Sequence, residues 1–301
     1  MSRKRVSVLW RNDPGYPVLL AAIADPPARL FVRGVLPVGP TVAVVGSRQG
    51  TPYGQRAAHQ LAEDLSNQGI IVVSGLARGI DRAAHEGALT GPTPTVAVLA
   101  SGLDPIYPPE HVELADRIAV TGALLSEAED GSLPLPARFP VRNRIISGLS
   151  LGVIIVEAAE RSGALITARL ALEQGREVFC VPGSIENPLT LGPHSLVKDG
   201  ATLVRTVEDV LAELPEAVRA YARAHARAPA PARADSGPQE PELAAVWELL
   251  DWVEPRHHDE LAEQLRLDVI EVSRRLTLLE MGNYIIGDRG AVTRNRRRLD
   301  R

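Results

Sequence analysis

One cysteine in 301 residues, Cys180, excludes an internal disulfide and a metal site built from several thiolates. It stands in the apolar run EVFCV, which reads as a strand with an inert buried thiol. No apolar run approaches the roughly 18 residues of a membrane span, and the basic start MSRKRVSVLW lacks the sustained apolar stretch of a secretion signal. The expectation is a cytoplasmic protein with no membrane partner. Positive charge is not in surplus either. The net charge is −4, so any contact with nucleic acid must come from local clustering. The familiar nucleotide fingerprints are also missing. GSRQGTPYG lacks the G-x-G-x-x-G spacing, no G-x-x-x-x-G-K-[ST] occurs, and no acid stands in the ribose position. That argues against a nicotinamide enzyme and a P-loop ATPase. No carboxylate pair, Ser-His-Asp set or metal-spaced histidine cluster accompanies the loops. His257 and His258 are adjacent, so they cannot share a helix face as two ligands would. The expectation is a protein without catalytic residues, metal or cofactor.

What is present is a large apolar content, 45 % of the chain, enough for more than one domain. Residues 1–37 read as a short N-terminal extension broken by Pro14, Pro17, Pro26 and Pro27, with a short helix near 18–23. From Thr41 a regular alternation begins. Strands are readable at 42–45, 70–74, 96–100, 123–126, 152–156, 178–181 and 201–204, with helical patterns between most of them. Ala57, Leu61 and Leu65 share one helix face, and Ile80, Ala83, Ala84 and Ala88 another. Thr206 and Asp209 cap a helix that turns Val207, Val210, Leu211 and Leu214 inward. Alternation of this kind means an α/β domain over residues 38–215, a parallel sheet covered by helices on both sides. Residues 216–241 are rich in Ala, Arg and Pro and read as a linker. Its first part, AVRAYARAHARA, can also extend as a helix. From Glu242 to Arg301 three helical patterns and a hairpin predict a winged helix followed by an arginine-rich tail.

The unusual residues fall where the strands end. Gly46, Ser47 and Arg48 follow the first strand; Gly75, Arg78, Gly79 and Asp81 the second; Ser162 and Gly163 the central one; Gly183 and Ser184 another. Ligands of open parallel sheets bind off these ends, and glycines let backbone N–H groups approach a phosphate. In RFPVRNRIISGLS, Arg142 and Arg144 occupy the first turn of a helix, where the dipole disfavours cations, with Arg138 and Phe139 just ahead. Cations at that helix end beside an aromatic suggest an anionic partner with flat rings, such as a single-stranded nucleic acid. The plainer alternative is that Phe139 staples the loop and the arginines pair with acids. The winged helix has eleven acids against four bases between Glu242 and Asp288. That balance favours protein contact over duplex reading, although Arg274 and Arg275 on its third helix keep a duplex-binding regulator in view.

The chain resembles the DNA processing protein A family (DprA/Smf). The resemblance is carried by VAVVGSR, SGLARGIDRAAH, FPVRNRIISGLS, EAAERSGALITA, VPGS, LVKDGA and the winged-helix run DELAEQLRLDVIEVSRRLTLLEMG. It implies an extended Rossmann-like domain that binds single-stranded DNA as a homodimer. It also implies protection of incoming strands in natural transformation and loading of the recombinase RecA. By matching position it places Arg48 on a phosphate with Gly46 and Ser47, and Phe139 on a base. Asn143 and Arg144 would shape the pocket, Ser162 and Gly163 would supply hydrogen bonds, and Lys198 would contact the backbone. Arg138 stands where relatives carry lysine, and His194 where asparagine is expected. Residues 1–37 are too short for the helical domain many relatives carry there. Phosphoribohydrolases with a similar core, the nucleotide-cleaving alternative, use a PGGxGTxxE loop that SGALITARLALE does not match.

Overall fold

The computed structural model describes residues 6–227, 238, 240–251, 255–282, 284–288 and 291–294. The chain divides into two compact units, Met1–Arg227 and Ala228–Arg301.

In the first unit the seven expected strands are present: β3 (Thr41–Val45), β4 (Ile71–Ser74), β5 (Thr95–Leu99), β6 (Ala123–Ser126), β7 (Gly152–Ile155), β8 (Glu177–Cys180) and β9 (Thr202–Leu203). Two more precede them, β1 (Val6–Trp10) and β2 (Arg29–Gly34), around the short helix α1 (Val18–Ala21). The nine strands form one sheet in the order β1-β2-β6-β5-β4-β3-β7-β8-β9. β2 pairs antiparallel with β1 and β6, and all other pairs are parallel. β3 and β7 run side by side from Val42 opposite Gly152 to Val45 opposite Ile155.

Side chains alternate between the faces of a strand, and the core follows that alternation. Ala43 and Val45 of β3 join one layer with α1, α5 (Arg138–Leu149) and α6 (Gly163–Glu173). Val42 and Val44 join the other with α2 (Pro52–Asn67), α3 (Ile80–Ala88), α8 (Val207–Glu213) and α9 (Glu216–His225). Helix α4 (Val112–Thr121) covers β5 and β6, while α7 (Leu191–Lys198) links β8 to β9. Cys180 is buried in β8, and burial pushes its thiol up to about 12.

Two expectations about the flanks are corrected. The segment ahead of residue 38 is no mere extension, because β2 hydrogen-bonds to β6 and carries β1 at the sheet edge. The prolines that broke the pattern lie between those strands, around α1. The expected linker begins later, since residues 216–225 are helix α9. Ala222 is buried in the second core layer, Val218 packs on it, and Tyr221 stacks on His225 with centroids 3.8 Å apart. Alanine and arginine are strong helix formers, so the composition that suggested a linker suits a docked helix equally well.

The second unit holds α10 (Pro241–Glu248), α11 (His258–Leu265), α12 (Val269–Met281) and a three-stranded sheet. Its strands β10 (Arg256–His257), β11 (Ile285–Asp288) and β12 (Ala291–Arg294) are ordered β10-β12-β11. This is a winged helix around Val246, Trp247, Leu261, Val272, Leu276 and Leu279. His257 is the N-cap residue of α11 and His258 its first residue. Val253 and the tail arginines Arg289, Arg296, Arg297, Arg298 and Arg301 lie outside the described residues.

Candidate functional site

Strand order reverses between β3 and β7, so the loops leaving their carboxyl ends diverge and open a crevice. Glu157, just past β7 and fully buried, ties three of these loops together. Its carboxylate accepts from Thr51 N (2.7 Å), Thr51 Oγ1 (2.6 Å) and Asn187 Nδ2 (3.3 Å), and its carbonyl accepts from Ser47 N (2.6 Å). The loop after β4 is held in turn, with Ile80 N donating to Ser47 O (3.2 Å). Gly79 sits at that crossing with φ +71°, and a Cβ there would lie 2.4 Å from Ser47 O. Neither Glu157, Thr51 nor Asn187 was singled out in the sequence. The only signal was an acid directly after an apolar strand, where burial demands partners.

Helix α5 forms one wall. Residues three and four apart share a helix face, and Phe139, Arg142, Asn143 and Ile146 follow that spacing along a cleft of about 1010 Å³ open to solvent. The opposite wall is Gly46, Ser47, Arg48 and Gln49, and the floor includes Ser162, Gly163 and Thr167. Ser162 caps α6 by accepting from Ala164 N (3.2 Å), and Asn143 Nδ2 donates to Gly163 O (3.2 Å). The N-terminus of an eleven-residue helix therefore faces the cleft, where its dipole favours negative charge. Arg48 is exposed, and its guanidinium lies 4.5 Å from the centroid of the Phe139 ring. Among the described residues no carboxylate forms an ion pair with it. Tyr107 meets the Phe139 ring edge-on, with centroids 6.2 Å apart. There a smaller crevice of about 360 Å³ is lined by Arg48, Gly75, Arg78, Ser101, Tyr107, Pro134 and Phe139.

Arg142 and Arg144 do different work from what was expected. Positions two apart on a helix, as these are, lie about 200° apart around its axis, so they cannot face one ligand together. Arg144 turns away from both crevices; Nη2 bonds both carboxylate oxygens of Glu127 (2.8 and 2.9 Å) and Nε bonds Asp25 (3.1 Å). Arg142 lines the larger cleft but is 94 % buried, and Nη1 donates to Gly75 O (2.8 Å) and to Val98 O, joining the ends of β4 and β5. A Cβ at position 75 would lie 2.1 Å from Arg142 Nη1, so a side chain there would push the guanidinium off its carbonyl bonds. Beneath it Asp81 accepts from Gly75 N (3.1 Å) and Ala77 N (3.4 Å). Burial pushes the Asp81 carboxyl up, opposed chiefly by Arg142, while burial pulls the Arg142 guanidinium down to about 10.

The remaining expected residues separate. Gly79 shapes the loop crossing rather than either crevice wall, and Arg78 at the smaller crevice is paired with Glu110. Arg138 donates to Leu133 O (3.1 Å), and Lys198 is exposed at the end of α7; neither lines either of these two crevices. In the winged helix, Arg274 and Arg275 of α12 pair with Glu271 and Glu242, so these cations are met by acids of their own unit. Among the described residues no group of three His, Cys, Asp or Glu side chains is gathered for a metal, and no helix is long and apolar enough to cross a membrane.

Comparison with known proteins places this geometry. Residues 7–215 match the family model of DNA recombination-mediator protein A, and residues 227–287 that of the DprA winged helix domain. Protein Smf of Escherichia coli is 44 % identical over 309 residues, covering 97 % of this chain and 80 % of that protein. The crystal structure of DNA processing protein A from Streptococcus pneumoniae is 43 % identical with a TM-score of 0.67, over 70 % of this chain and 75 % of that one. A solved structure of DNA processing protein A from Helicobacter pylori, described for its single-stranded DNA binding mode, is 30 % identical with a TM-score of 0.64, over 71 % of this chain and 99 % of that one.

Proposed function

Because the chain belongs to the DNA recombination-mediator protein A (DprA/Smf) family, in its large unit and in its winged helix, we propose that its cleft grips unpaired DNA by phosphates and base faces without breaking a bond. The observation that carries this reading is Arg48, unpaired by any carboxylate among the described residues and set 4.5 Å over Phe139 at the mouth of the cleft. A cation beside an aromatic face suits a phosphate followed by a base. In a duplex the bases already stack on each other, and the ring would be idle. Gly46, Ser47, Asn143, Ser162 and Gly163 support it as cleft-lining groups able to approach or hydrogen-bond the strand. Arg78 and Gly75 would act at the smaller crevice, Arg138 and Lys198 farther along the strand. On the family premise the protein shields incoming strands in natural transformation, passes them to RecA, and acts as a cytoplasmic homodimer needing no cofactor. The winged helix serves protein contact, since its α12 arginines are occupied by Glu271 and Glu242.

The test is an anisotropy titration of an oligothymidylate against a duplex of equal length. The single strand should bind more tightly; equal affinity would refute the reading. Phe139→Ala should weaken single-strand binding about fivefold to a hundredfold, since base–aromatic stacking is worth ~1–3 kcal/mol. Its salt slope should not move, because no phosphate contact is lost. Cleft-dependent hydrolysis of nucleoside monophosphates would instead favour the nucleotide-cleaving alternative.

Glu110 offers a gain-of-function check. Its carboxylate holds Arg78, and the pairing keeps the Glu110 carboxyl below the usual range. Glu110→Gln removes an anion from the rim and frees a cation, so single-strand affinity at low salt should rise about twofold to fivefold with a steeper salt dependence. An unchanged slope would mean that Arg78 does not meet the strand.

A further inference from the structure

The loop that enters α5 presents apolar side chains to water. Leu133 and Leu135 are 62 % and 51 % exposed, and Val141 in the first turns of α5 is 50 % exposed. The loop is nevertheless firmly built. Gly102 N donates to Ser132 O (3.0 Å), Gly131 N to Asp104 O (2.7 Å) and Leu103 N to the Asp130 carboxylate (3.1 Å). Leu135 N and Arg138 Nη1 both donate to Leu133 O (2.9 and 3.1 Å). A single exposed leucine is ordinary. Arg138 joins these three apolar positions into one surface, because it donates from Nη1 to Leu133 O and from its backbone N to Leu135 O, and lies three residues before Val141 on α5.

This surface continues the cleft. Pro134, between the two leucines, lines the smaller crevice with Phe139 and Arg48. We infer that Leu133, Leu135 and Val141, together with Arg138, form a ledge that carries the bases of an unpaired strand as it leaves the cleft. The inference rests on the cleft being a single-strand site and lengthens its footprint. The core of a protein-docking face is depleted of charge, whereas this surface includes the Arg138 guanidinium, held on Leu133 O. An unpaired strand alternates phosphates with apolar base faces, and the ledge matches that alternation. A duplex, its base faces covered, has no use for the leucines.

The test compares the wild-type chain with the double variant Leu133→Ser, Leu135→Ser on oligothymidylates of about 4 and about 16 nucleotides, the range of single-strand site sizes. The loop's hydrogen bonds are not made by the leucine side chains, so the variant should keep its melting temperature. Binding of the short strand should be unchanged. The long strand should bind roughly threefold to tenfold more weakly, the loss expected from two half-covered leucines, with an unaltered salt slope. Val141→Ser, placed on the helix rather than the loop, should shift the long strand in the same direction. Unchanged binding of the long strand in both variants overturns the ledge and assigns the surface to a protein partner. A shift from dimer to monomer in light scattering, with DNA binding intact, overturns it in favour of a surface between copies. Should the wild-type chain fail to prefer single strands over duplex, the cleft reading falls, and the ledge with it.

Discussion

Arg48→Ala should lower affinity for an unpaired strand about tenfold to a hundredfold, the range expected when a charge-assisted contact worth roughly 1.5–3 kcal/mol is removed. Arg48 carries this because it is exposed, stacked 4.5 Å over Phe139, and forms no ion pair with a carboxylate among the described residues. Each phosphate contact also releases counterions, so the slope of log affinity against log salt should flatten by about 0.7 for a single strand. Arg144→Ala is the matched control. Its guanidinium is spent on Glu127 and Asp25, so affinity and slope should stay at wild-type values. If Arg48→Ala leaves the slope unchanged, or Arg144→Ala flattens it, the site is misplaced. Anisotropy titrations across a salt series decide both.

Arg142→Ala should instead act on the fold. Arg142 bridges the carbonyls of Gly75 and Val98 above the buried Asp81. Removing one partner of a buried charged set leaves the other uncompensated, at a cost of about 3–5 kcal/mol. Denaturant unfolding of the variant should show a loss of that size at neutral pH. Acid should narrow the difference. The folded Asp81 carboxyl lies above its ordinary value of 3.8 because of burial, and loss of Arg142 raises it further. A group raised in the folded state loses stability as pH climbs from its unfolded value through its folded one. Below pH 3.8 Asp81 is neutral in both states, and the unpaired-carboxylate part of the penalty disappears. A gap that stays constant from neutral pH to below 3.8 would show that Arg142 acts through its carbonyl bonds alone.

These contrasting arginines show how much of the site was legible. That cations cluster with an aromatic at the start of α5 was plain in FPVRNR, and the glycine and serine loops at strand ends were plain in VVGSR and EAAERSG. Which arginine was available to a ligand was not. The helical period alone separates Phe139, Arg142 and Asn143 from Arg144, and applying it would have removed Arg144 from the pocket. It could not have shown that Arg142 is committed to two backbone carbonyls, because those belong to strands far along the chain. Glu157 was unreadable for the same reason: its partners Thr51 and Asn187 lie 106 and 30 residues away.

The flanks failed differently. β1 (VSVLW) and β2 (RLFVRG) hold strand-forming residues, but the prolines between them obscured the pattern, and their state is fixed by β2 pairing antiparallel with β6 and β1 with β2, which only the assembled sheet offers. Helix α9 was masked by a composition shared with linkers, and burial of Ala222 decides its state.

Local chemistry along the chain determined the alternation of strands and helices, the two-unit plan and the placement of glycine, serine and arginine at strand ends. Side-chain period and turn propensity act over a few residues and can be read there. Tertiary structure alone decided which cations were neutralised, which remained free, and that Arg48 comes to rest on Phe139. Pairing and burial depend on groups that are distant in sequence, and charge is available to a ligand only where the fold has left it unmet.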